Sequence, residues 1–264
     1  MPSFDIIDSA SAGYMLVWKE RGYILGLAAA PFVIKMLCYT LVLMLGWEQD
    51  FTRQAVVMLP SYFADGWMLS HLTRLVFFEQ RWPFRPTGNA EKDLPVLQER
   101  ALGIMRGTLT YAVIQYLMTG VKELIYMGPA GAEEAAQEPT LAAFAMALAF
   151  MVAAIWAFRL MWLYIPAAVN YPLSRFLRDL GGYAASWPLL GIWLFCFIPP
   201  FFVFGITLSM LNAMVQGSGA PASGEIIFLV NFLRELLYTL VGIIATAGMA
   251  TAIKKYLMPR DKRK

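Results

Sequence analysis

Residues 22–46 read GYILGLAAAPFVIKMLCYTLVLMLG, an apolar run with one charged side chain, Lys35. A helix that spans a bilayer needs about 20 mostly apolar residues, and this run exceeds that length. Hydrophobic residues make up 59% of the chain and charged residues 15%, against about 45–50% and about 25% in typical soluble domains. The run and the composition together predict an integral membrane protein whose surface is largely solvated by lipid.

Five further stretches are long and apolar enough to span, so the predicted fold class is all-α, a polytopic membrane protein with six transmembrane helices. The predicted spans are 22–46, 54–78, 107–127, 141–158, 188–215 and 226–253. Two more segments, 4–18 and 171–180, have apolar side chains at helical spacing, which predicts amphipathic helices on the cytoplasmic membrane surface. The longest connections have fewer than about 30 residues, too few for a separate catalytic domain, so residues 1–264 are predicted to form one membrane domain.

The positive charges predict the orientation of these helices. Sixteen of the 21 Lys and Arg residues lie in four segments that alternate with three segments holding only Arg53 and Lys122. Because Lys and Arg are enriched in cytoplasmic connections, both termini are predicted to be cytoplasmic and the short acidic connections to lie outside. The basic tail Lys254–Lys264 is predicted to bind anionic lipid headgroups. It is too short for nucleic-acid binding to be a good interpretation.

Several polar residues fall inside the predicted spans, where a charge costs about 2.5–3.5 kcal/mol on insertion scales and normally faces protein or water. The candidate intramembrane site comprises Lys35, Asp65, His71, Arg74, Gln115, Arg234 and Glu235. Lys35 and Asp65 lie near the middle of adjacent antiparallel spans, so we expect an ion pair between them. Arg74 lies about 6 Å from the cytoplasmic end of its span, so its side chain is expected to extend to the headgroups. His71 is expected to be a satisfied hydrogen-bonding side chain.

Spans three and six each carry a stripe of polar residues at steps of three and four, which places each stripe on one helix face. The stripes are Thr108, Tyr111, Gln115, Thr119, Lys122 and Tyr126, and Asn231, Glu235, Tyr238, Gly242 and Thr246. We expect them to point into the bundle, either as hydrogen bonds between helices or as the lining of a water-filled cavity. Pairing of Lys122 and Glu123 with Arg234 and Glu235 is a further hypothesis.

Spans four and five carry features that predict how helices pack. The alanines of span four that share one face are Ala142, Ala145, Ala149, Ala153 and Ala157. Such a face lets a neighbouring backbone approach closely. In span five, Pro199 and Pro200 lack the amide hydrogens of a regular helix, so we expect a kink or a break that frees carbonyl groups at mid-membrane. On the surface helix 4–18, one side holds Ile7, Ala10, Tyr14 and Trp18.

The segment from Arg159 to Pro200 resembles a known family. It reads Arg159-Leu-Met-Trp-Leu-Tyr-Ile-Pro-Ala-Ala-Val169, followed by Ser174, Arg178 and Gly181 and then by an aromatic-rich span. This order resembles the bacterial six-helix inner-membrane proteins related to the membrane domain of glycerophosphoryl diester phosphodiesterase, although the family often has Thr-Arg-Gly where this chain has Arg178-Asp-Leu-Gly181. The resemblance implies a multi-pass protein of the bacterial inner membrane. The phosphodiesterase domain that accompanies some members has no counterpart here, so no activity is implied.

The sequence predicts no catalytic residues, no cofactor and no metal site. It contains no phosphate-binding lysine loop and no nucleophile elbow, and a single histidine excludes a cluster of histidine ligands. The first functional hypothesis is a non-enzymatic scaffold or accessory subunit whose partners are anionic membrane lipids, another membrane protein or a second copy. The alternative is a small transporter or channel with a polar interior formed by Lys35, Asp65, Gln115 and Glu235. A membrane-embedded lipid enzyme that uses Asp65, His71 and Glu235 is the third hypothesis.

Overall fold

The computed structural model describes residues 5–47, 50–126, 141–180, 182–217 and 224–261, and these contain helices and no β-strand. The helices are α1 (Ile6–Lys19), α2 (Arg21–Leu45), α3 (Phe51–Phe78), α4 (Ala90–Tyr126), α5 (Leu141–Ala157), α6 (Tyr164–Ala168), α7 (Leu173–Asp179), α8 (Gly182–Gly217) and α9 (Gly224–Asp261). A short 3₁₀ helix, Phe158–Trp162, joins α5 to α6. The predicted all-α class is confirmed, and each predicted span corresponds to one long helix.

Four stretches are long and apolar enough to cross a membrane, so the chain is a membrane protein. They are Arg21–Leu45, Phe144–Ala168, Ala185–Met210 and Phe228–Leu257. The remaining two long helices, α3 and α4, are less apolar for different reasons. Many polar side chains of α3 are buried between other helices, and α4 begins with a charged extension from Ala90 that the sequence analysis placed in a connection.

The centre of the bundle is the second half of α9, where every residue from Ile243 to Ala250 is buried. The helices α1, α3 and α8 pack around it. The closest approach is made by Gly13 of α1, where a Cβ atom would lie 2.8 Å from the carbonyl oxygen of Ile244 and 2.9 Å from the amide nitrogen of Gly248. Backbone therefore packs directly on backbone at this crossing.

The first predicted surface helix, α1, is partly inserted into the bundle. Small residues, Ser9, Ala10 and Gly13, form its buried face, because only they permit the close contact with α9. Of the four residues predicted to share one side, Ala10 and Tyr14 face the bundle, whereas Ile7 and Trp18 are exposed. The helix thus has one face against protein and another free for lipid.

The second predicted surface helix corresponds to α7. Phe176 is fully buried, and Ser174 and Arg178 are exposed, so the helix has an apolar and a polar side. The position of α1 and α7 on a membrane surface stays a prediction.

The proline pair in α8 does not interrupt the helix, which continues from Gly182 to Gly217. Of the two predicted outcomes, a kink or a break, the break is therefore wrong. The freed carbonyl groups are nevertheless present, because Pro199 and Pro200 cannot donate to the carbonyls four residues earlier, on Phe195 and Cys196. The hydroxyl of Tyr14 on α1 donates to these two oxygens, at 3.1 and 3.0 Å. A side chain from another helix therefore replaces the missing amide donors.

At the edge of the bundle, α5 packs against α8 and the 3₁₀ helix. Its alanine face is exposed at Ala145, Ala149 and Ala153. None of the described helices uses this face for the predicted close approach, so that prediction is wrong for contacts within the described part of the chain. The reason is that α5 is exposed on all sides from Phe144 to Ala154, and only residues at its C-terminal end, Ile155 and Ala157, are half-buried.

Candidate functional site

The predicted ion pair between α2 and α3 is present. Lys35 Nζ lies 2.6 Å from Asp65 Oδ2, and the two residues are only 9% and 4% exposed. Lys35 also donates a hydrogen bond to Thr239 Oγ1 of α9 at 3.4 Å. The second oxygen of Asp65, Oδ1, is buried without a hydrogen-bond partner among the described residues. This group, here called the interior cluster, joins three helices through one buried charge pair.

The polar stripes continue the interior cluster. The hydroxyl groups of Tyr62 on α3 and Thr119 on α4 lie 3.1 Å apart, and Glu235 is buried on the same face of α9 as Thr239. These contacts run from helix to helix, which favours the first interpretation of the stripes, hydrogen bonds within the bundle.

The remaining predicted residues of the interior lie at its edges. Gln115 is half-buried, and its carbonyl oxygen accepts from Thr119 at 3.0 Å. Arg234 lies 3.6 Å from Glu235, with its guanidinium carbon 4.7 Å from the ring centre of Tyr39. The side chains of Lys122 and Glu123 lie outside the described residues, so their predicted pairing with α9 is untested.

Arg74 does not extend to the surface, and this prediction is wrong. Its side chain is 0% exposed. Nη2 and Nη1 donate to the two carboxylate oxygens of Glu99 at 2.6 and 3.2 Å, Nη1 also donates to the carbonyl of Ala168 at 2.9 Å, and Nε donates to Gln80 at 2.9 Å. A bidentate, charge-assisted contact of this kind is among the stronger hydrogen-bonding arrangements in proteins. Arg74 therefore joins α3, α4 and α6.

Two glycines on α4 explain why Arg74 stays inside. A Cβ atom at Gly103 would lie 2.5 Å from both the Ala168 carbonyl oxygen and Arg74 Nη1, and one at Gly107 would collide with the Ser70 hydroxyl. The spacing Gly-x-x-x-Gly is the sequence signal for such close packing, and the sequence analysis missed it here. The close approach brings Glu99 to the level of Arg74.

Burial opposes ionisation of Glu99, but hydrogen bonds from Arg74 and Asn170 and the charge of Arg74 hold its pKa below the ordinary value.

His71 is buried, but its Nδ1 atom has no hydrogen-bond partner among the described residues, so the expectation of a satisfied hydrogen bonder is wrong. Its ring packs edge-on against Trp67 and Trp82, with centroid distances of 4.6 and 6.4 Å. Asp65 lies six residues before His71, about 9 Å along the helix axis, and its side chain points to Lys35 instead. The structure therefore does not bring Asp65 and His71 together as an enzymatic pair.

A second polar site lies where α3 ends and α4 begins, here called the basic end of the bundle. A cavity of about 1060 Å³ opens there between the α1–α2 junction, the segment 79–85 and α9. Its basic lining residues are Lys19, Arg81, Arg85, Arg100 and Lys254, and its acidic ones are Glu20 and Glu79. Aromatic and aliphatic side chains complete the wall, among them Tyr23, Trp82 and Phe84. This basic-end cavity has a net formal charge of +3 and an otherwise largely apolar lining.

Hydrogen bonds hold the segment 79–85 against the α1–α2 junction on the other side of the cavity. The Arg81 guanidinium donates to both oxygens of Glu20 at 2.8 Å, and the Trp82 amide donates to the Tyr23 hydroxyl at 3.0 Å. Lys254 of α9 donates to the Val76 carbonyl at 2.8 Å. The charge of Glu20 is therefore neutralised by Arg81, whereas the hydrogen-bond acceptor of Lys254 within the described part of the chain is a neutral carbonyl.

Arg100 is the most unusual residue of the basic-end cavity. It is 5% exposed, donates to the Arg81 carbonyl and lies 5.9 Å from the ring centre of Phe84. None of the described carboxylates forms a salt bridge with it. Burial and the positive charge of Arg74 lower its pKa from the ordinary value. A buried cation without a countercharge is costly and indicates a place for an anion.

An apolar groove adjoins the basic-end cavity and shares Trp82, Phe84 and Arg100 with it. It has a volume of about 490 Å³ and lies between α3 and α4. The other lining residues are Phe63, Trp67, His71, Leu97, Ala101, Ile104, Met105, Thr108 and Leu109. We call it the aromatic groove. The sequence predicted the orientation from these basic residues and headgroup binding from the tail that begins at Lys254. It did not predict a cavity, because elements far apart in the chain form it and no local spacing marks it.

Comparison with known proteins adds no family or ligand to either site. The resemblance of residues 159–200 to the phosphodiesterase-related membrane proteins therefore stays a prediction. No protein-family model, no curated protein and no solved structure matches this chain.

Proposed function

We propose that this chain is a non-enzymatic membrane protein that binds the anionic headgroup of an amphiphile in the basic-end cavity. The observation that carries the proposal is Arg100, a buried guanidinium at the cavity wall that forms no salt bridge with any carboxylate in the described ranges. A phosphate group would supply the missing charge and accept several hydrogen bonds from the guanidinium fork. Lys19, Arg85 and Lys254 would bind its remaining oxygens from the cavity rim.

The proposal includes the orientation in which the basic end faces the cytoplasm of a bacterial inner membrane. It is supported by the charge distribution along the chain and by the concentration of basic residues at one end of the bundle. In this orientation α3 and α4 complete six spans. A cysteine introduced by Glu134→Cys, between α4 and α5, should react with an impermeant reagent added outside the cell. Modification only from the cytoplasm would overturn the topology.

The headgroup proposal is tested with the full chain in lipid nanodiscs. Retention of phosphatidylglycerol and of phosphatidylcholine is measured by native mass spectrometry for the wild type, Arg100→Gln and Arg106→Gln. Arg106 is the matched control because it is an exposed arginine on the same helix and does not line the cavity. We expect preferential retention of phosphatidylglycerol, about tenfold weaker in Arg100→Gln, or about 1.4 kcal/mol, and unchanged in Arg106→Gln.

Arg100→Lys separates the effect of the charge from that of the guanidinium geometry, because lysine keeps the positive charge and loses the planar fork of donors. We expect partial retention of phosphatidylglycerol in this variant. Equal retention of the two lipids by the wild type, or equal effects of the Gln variants at positions 100 and 106, would contradict headgroup binding.

The alternative function is ion-linked or proton-linked transport through the interior cluster. One observation favours it, the buried and unpartnered Oδ1 of Asp65, since a carboxylate oxygen in this position can accept a proton or contact an ion. Reconstituted wild-type protein would then conduct protons or alkali cations across vesicles, and Asp65→Asn would abolish the flux. Absence of flux in the wild type would exclude this function without affecting headgroup binding.

A further inference from the structure

The aromatic groove contains two polar atoms that its apolar wall does not explain. His71 Nδ1 on α3 and Thr108 Oγ1 on α4 are both buried and have no hydrogen-bond partner among the described residues, and both residues line the groove. An unsatisfied buried polar group costs about 1–3 kcal/mol. Because both residues line the groove, a polar group bound there would lie next to two polar atoms that lack a partner among the described residues.

The groove has the shape of a channel along two helices. Its lining residues on α4, from Leu97 to Leu109, cover about 18 Å of helix, and those on α3, from Phe63 to His71, cover about 12 Å. Leu97, Met105 and Leu109 are exposed at its rim, so the groove opens sideways onto the apolar surface of the bundle. A hydrocarbon chain in the bilayer could enter it without crossing a polar barrier.

The groove is also continuous with the basic-end cavity at Arg100, Trp82 and Phe84. A cationic compartment followed by an apolar one matches the order of an anionic headgroup and its acyl chain. Thr108 lies eight residues beyond Arg100 on α4, about 12 Å along the helix, in the direction in which the glycerol esters and chain of a bound lipid would continue from the headgroup.

We propose that the aromatic groove holds an acyl chain of the lipid whose phosphate binds at Arg100, and that His71 and Thr108 hydrogen-bond its ester groups. This inference rests on the proposed headgroup site and narrows its ligand to a glycerophospholipid. Free phosphate or glycerol phosphate would fill the cavity alone and leave the groove empty. A phosphate with a simple alkyl chain would fill the groove but leave His71 and Thr108 without partners.

The first test compares two substitutions on adjacent residues of α4. Ala101→Phe fills the groove, whereas Leu102→Phe adds a similar ring outside it. In purified full-length protein we expect Ala101→Phe to weaken phosphatidylglycerol binding about tenfold and to leave glycerol phosphate binding unchanged. Leu102→Phe should change neither. If Ala101→Phe has no effect while Arg100→Gln still does, the groove proposal fails and headgroup binding stands; if neither has an effect, both fail.

The second test concerns the ester groups. His71→Phe keeps an aromatic ring beside Trp67 and Trp82, and Thr108→Val keeps the shape of the side chain; both remove the polar atoms. We expect each to weaken binding of a long-chain phosphatidylglycerol several-fold and to leave binding of dodecyl phosphate, which has no ester, unchanged. Equal losses for the two ligands, or no loss for either, would show that His71 and Thr108 do not bind ester groups.

Discussion

The packed region around α9 and the peripheral region formed by α5 and the second half of α8 are both strongly apolar, but only the first is buried by protein. In the most apolar 18-residue segment of the stretch Phe228–Leu257, 72% of the residues are buried, against 6% in the corresponding segment of the stretch Phe144–Ala168. The packed region also holds buried charges and close-packed glycines, which the peripheral region lacks among its described residues. In a membrane, lipid solvates apolar side chains as well as protein does. Buried polar groups and close-packed glycines therefore indicate where helices pack, whereas hydrophobicity does not, and the exposed alanines of α5 do not either.

The largest expected effect concerns buried charge and compares two arginines of the packed region, one fully buried and one partly exposed. Replacement of the buried Arg74 by methionine removes the donor to the Ala168 carbonyl and the charged partner of Glu99, which keeps its hydrogen bond from Asn170. This should lower the free energy of unfolding by about 3 kcal/mol. Arg234→Met, at a side chain that is 36% exposed, should cost less than about 1 kcal/mol. Denaturant unfolding in mixed micelles measures both. Equal costs would show that the buried Arg74 is no more important to stability than a partly exposed arginine.

The two regions can be compared directly on one helix, because each contains an isoleucine of α8. Ile192 in the first half of α8 is 0% exposed, and Ile206 in the second half is 55% exposed. Ile192→Ala should cost about 2 kcal/mol because it leaves a cavity in protein, whereas lipid can fill the space left by Ile206→Ala, which should cost less than about 0.5 kcal/mol. The same unfolding assay applies. A large cost at position 206 would indicate that another protein surface, not lipid, covers the peripheral region.

Glycines on α4 are expected to differ even in the sign of the effect. Gly103→Ala places a methyl group against Ala168 and Arg74 and should destabilise the protein by about 1.5 kcal/mol. Gly120 has nothing within 4 Å of the added Cβ, so Gly120→Ala should stabilise by up to about 1 kcal/mol through its higher helix propensity. Thermal unfolding of the two variants measures this: the midpoint temperature should fall for Gly103→Ala and rise for Gly120→Ala. Destabilisation by both variants would remove the special role assigned to the Gly103 contact.

The long apolar runs were sufficient to predict the helices, and the equal depth of Lys35 and Asp65 was sufficient to predict their pair. The depth argument failed for Arg74, because it measured the distance to the end of the span and ignored the neighbouring helix. The first turns of α4 continue the helix beyond the apolar run, which brings Glu99 against Arg74. A charge near a membrane surface is therefore exposed only if no adjacent helix extends past it.

The candidate sites were less predictable than the helices. Arg100, Trp82 and Tyr23 meet in the basic-end cavity although they belong to different elements, and no single segment carries their arrangement. The interior cluster could be predicted because its members lie within apolar runs, where any charge is conspicuous. Outside those runs basic residues are common, so Arg100 is distinguished only by its burial in the folded chain.

The smallest expected effect concerns the boundary between the two regions on α8, where Tyr14 contacts the carbonyls freed by the prolines. Tyr14→Phe removes the hydroxyl that donates to Phe195 and Cys196 and should cost about 1 kcal/mol. Substituting both Pro199 and Pro200 by alanine restores the two amide donors within the helix. In that background the same Tyr14→Phe substitution should cost nearly nothing, because the carbonyls already have partners.

A double-mutant cycle of unfolding free energies isolates this coupling. The interpretation requires that the coupling be close to the full cost of Tyr14→Phe in the wild type. An undiminished cost in the proline-free background would mean that Tyr14 stabilises the protein by packing rather than by replacing the missing donors. The prolines would then be a feature of α8 alone. If the expected coupling is found, the two prolines make the stability of α8 depend on the Tyr14 hydroxyl of α1. The packed region then extends along α8 to the carbonyls of Phe195 and Cys196.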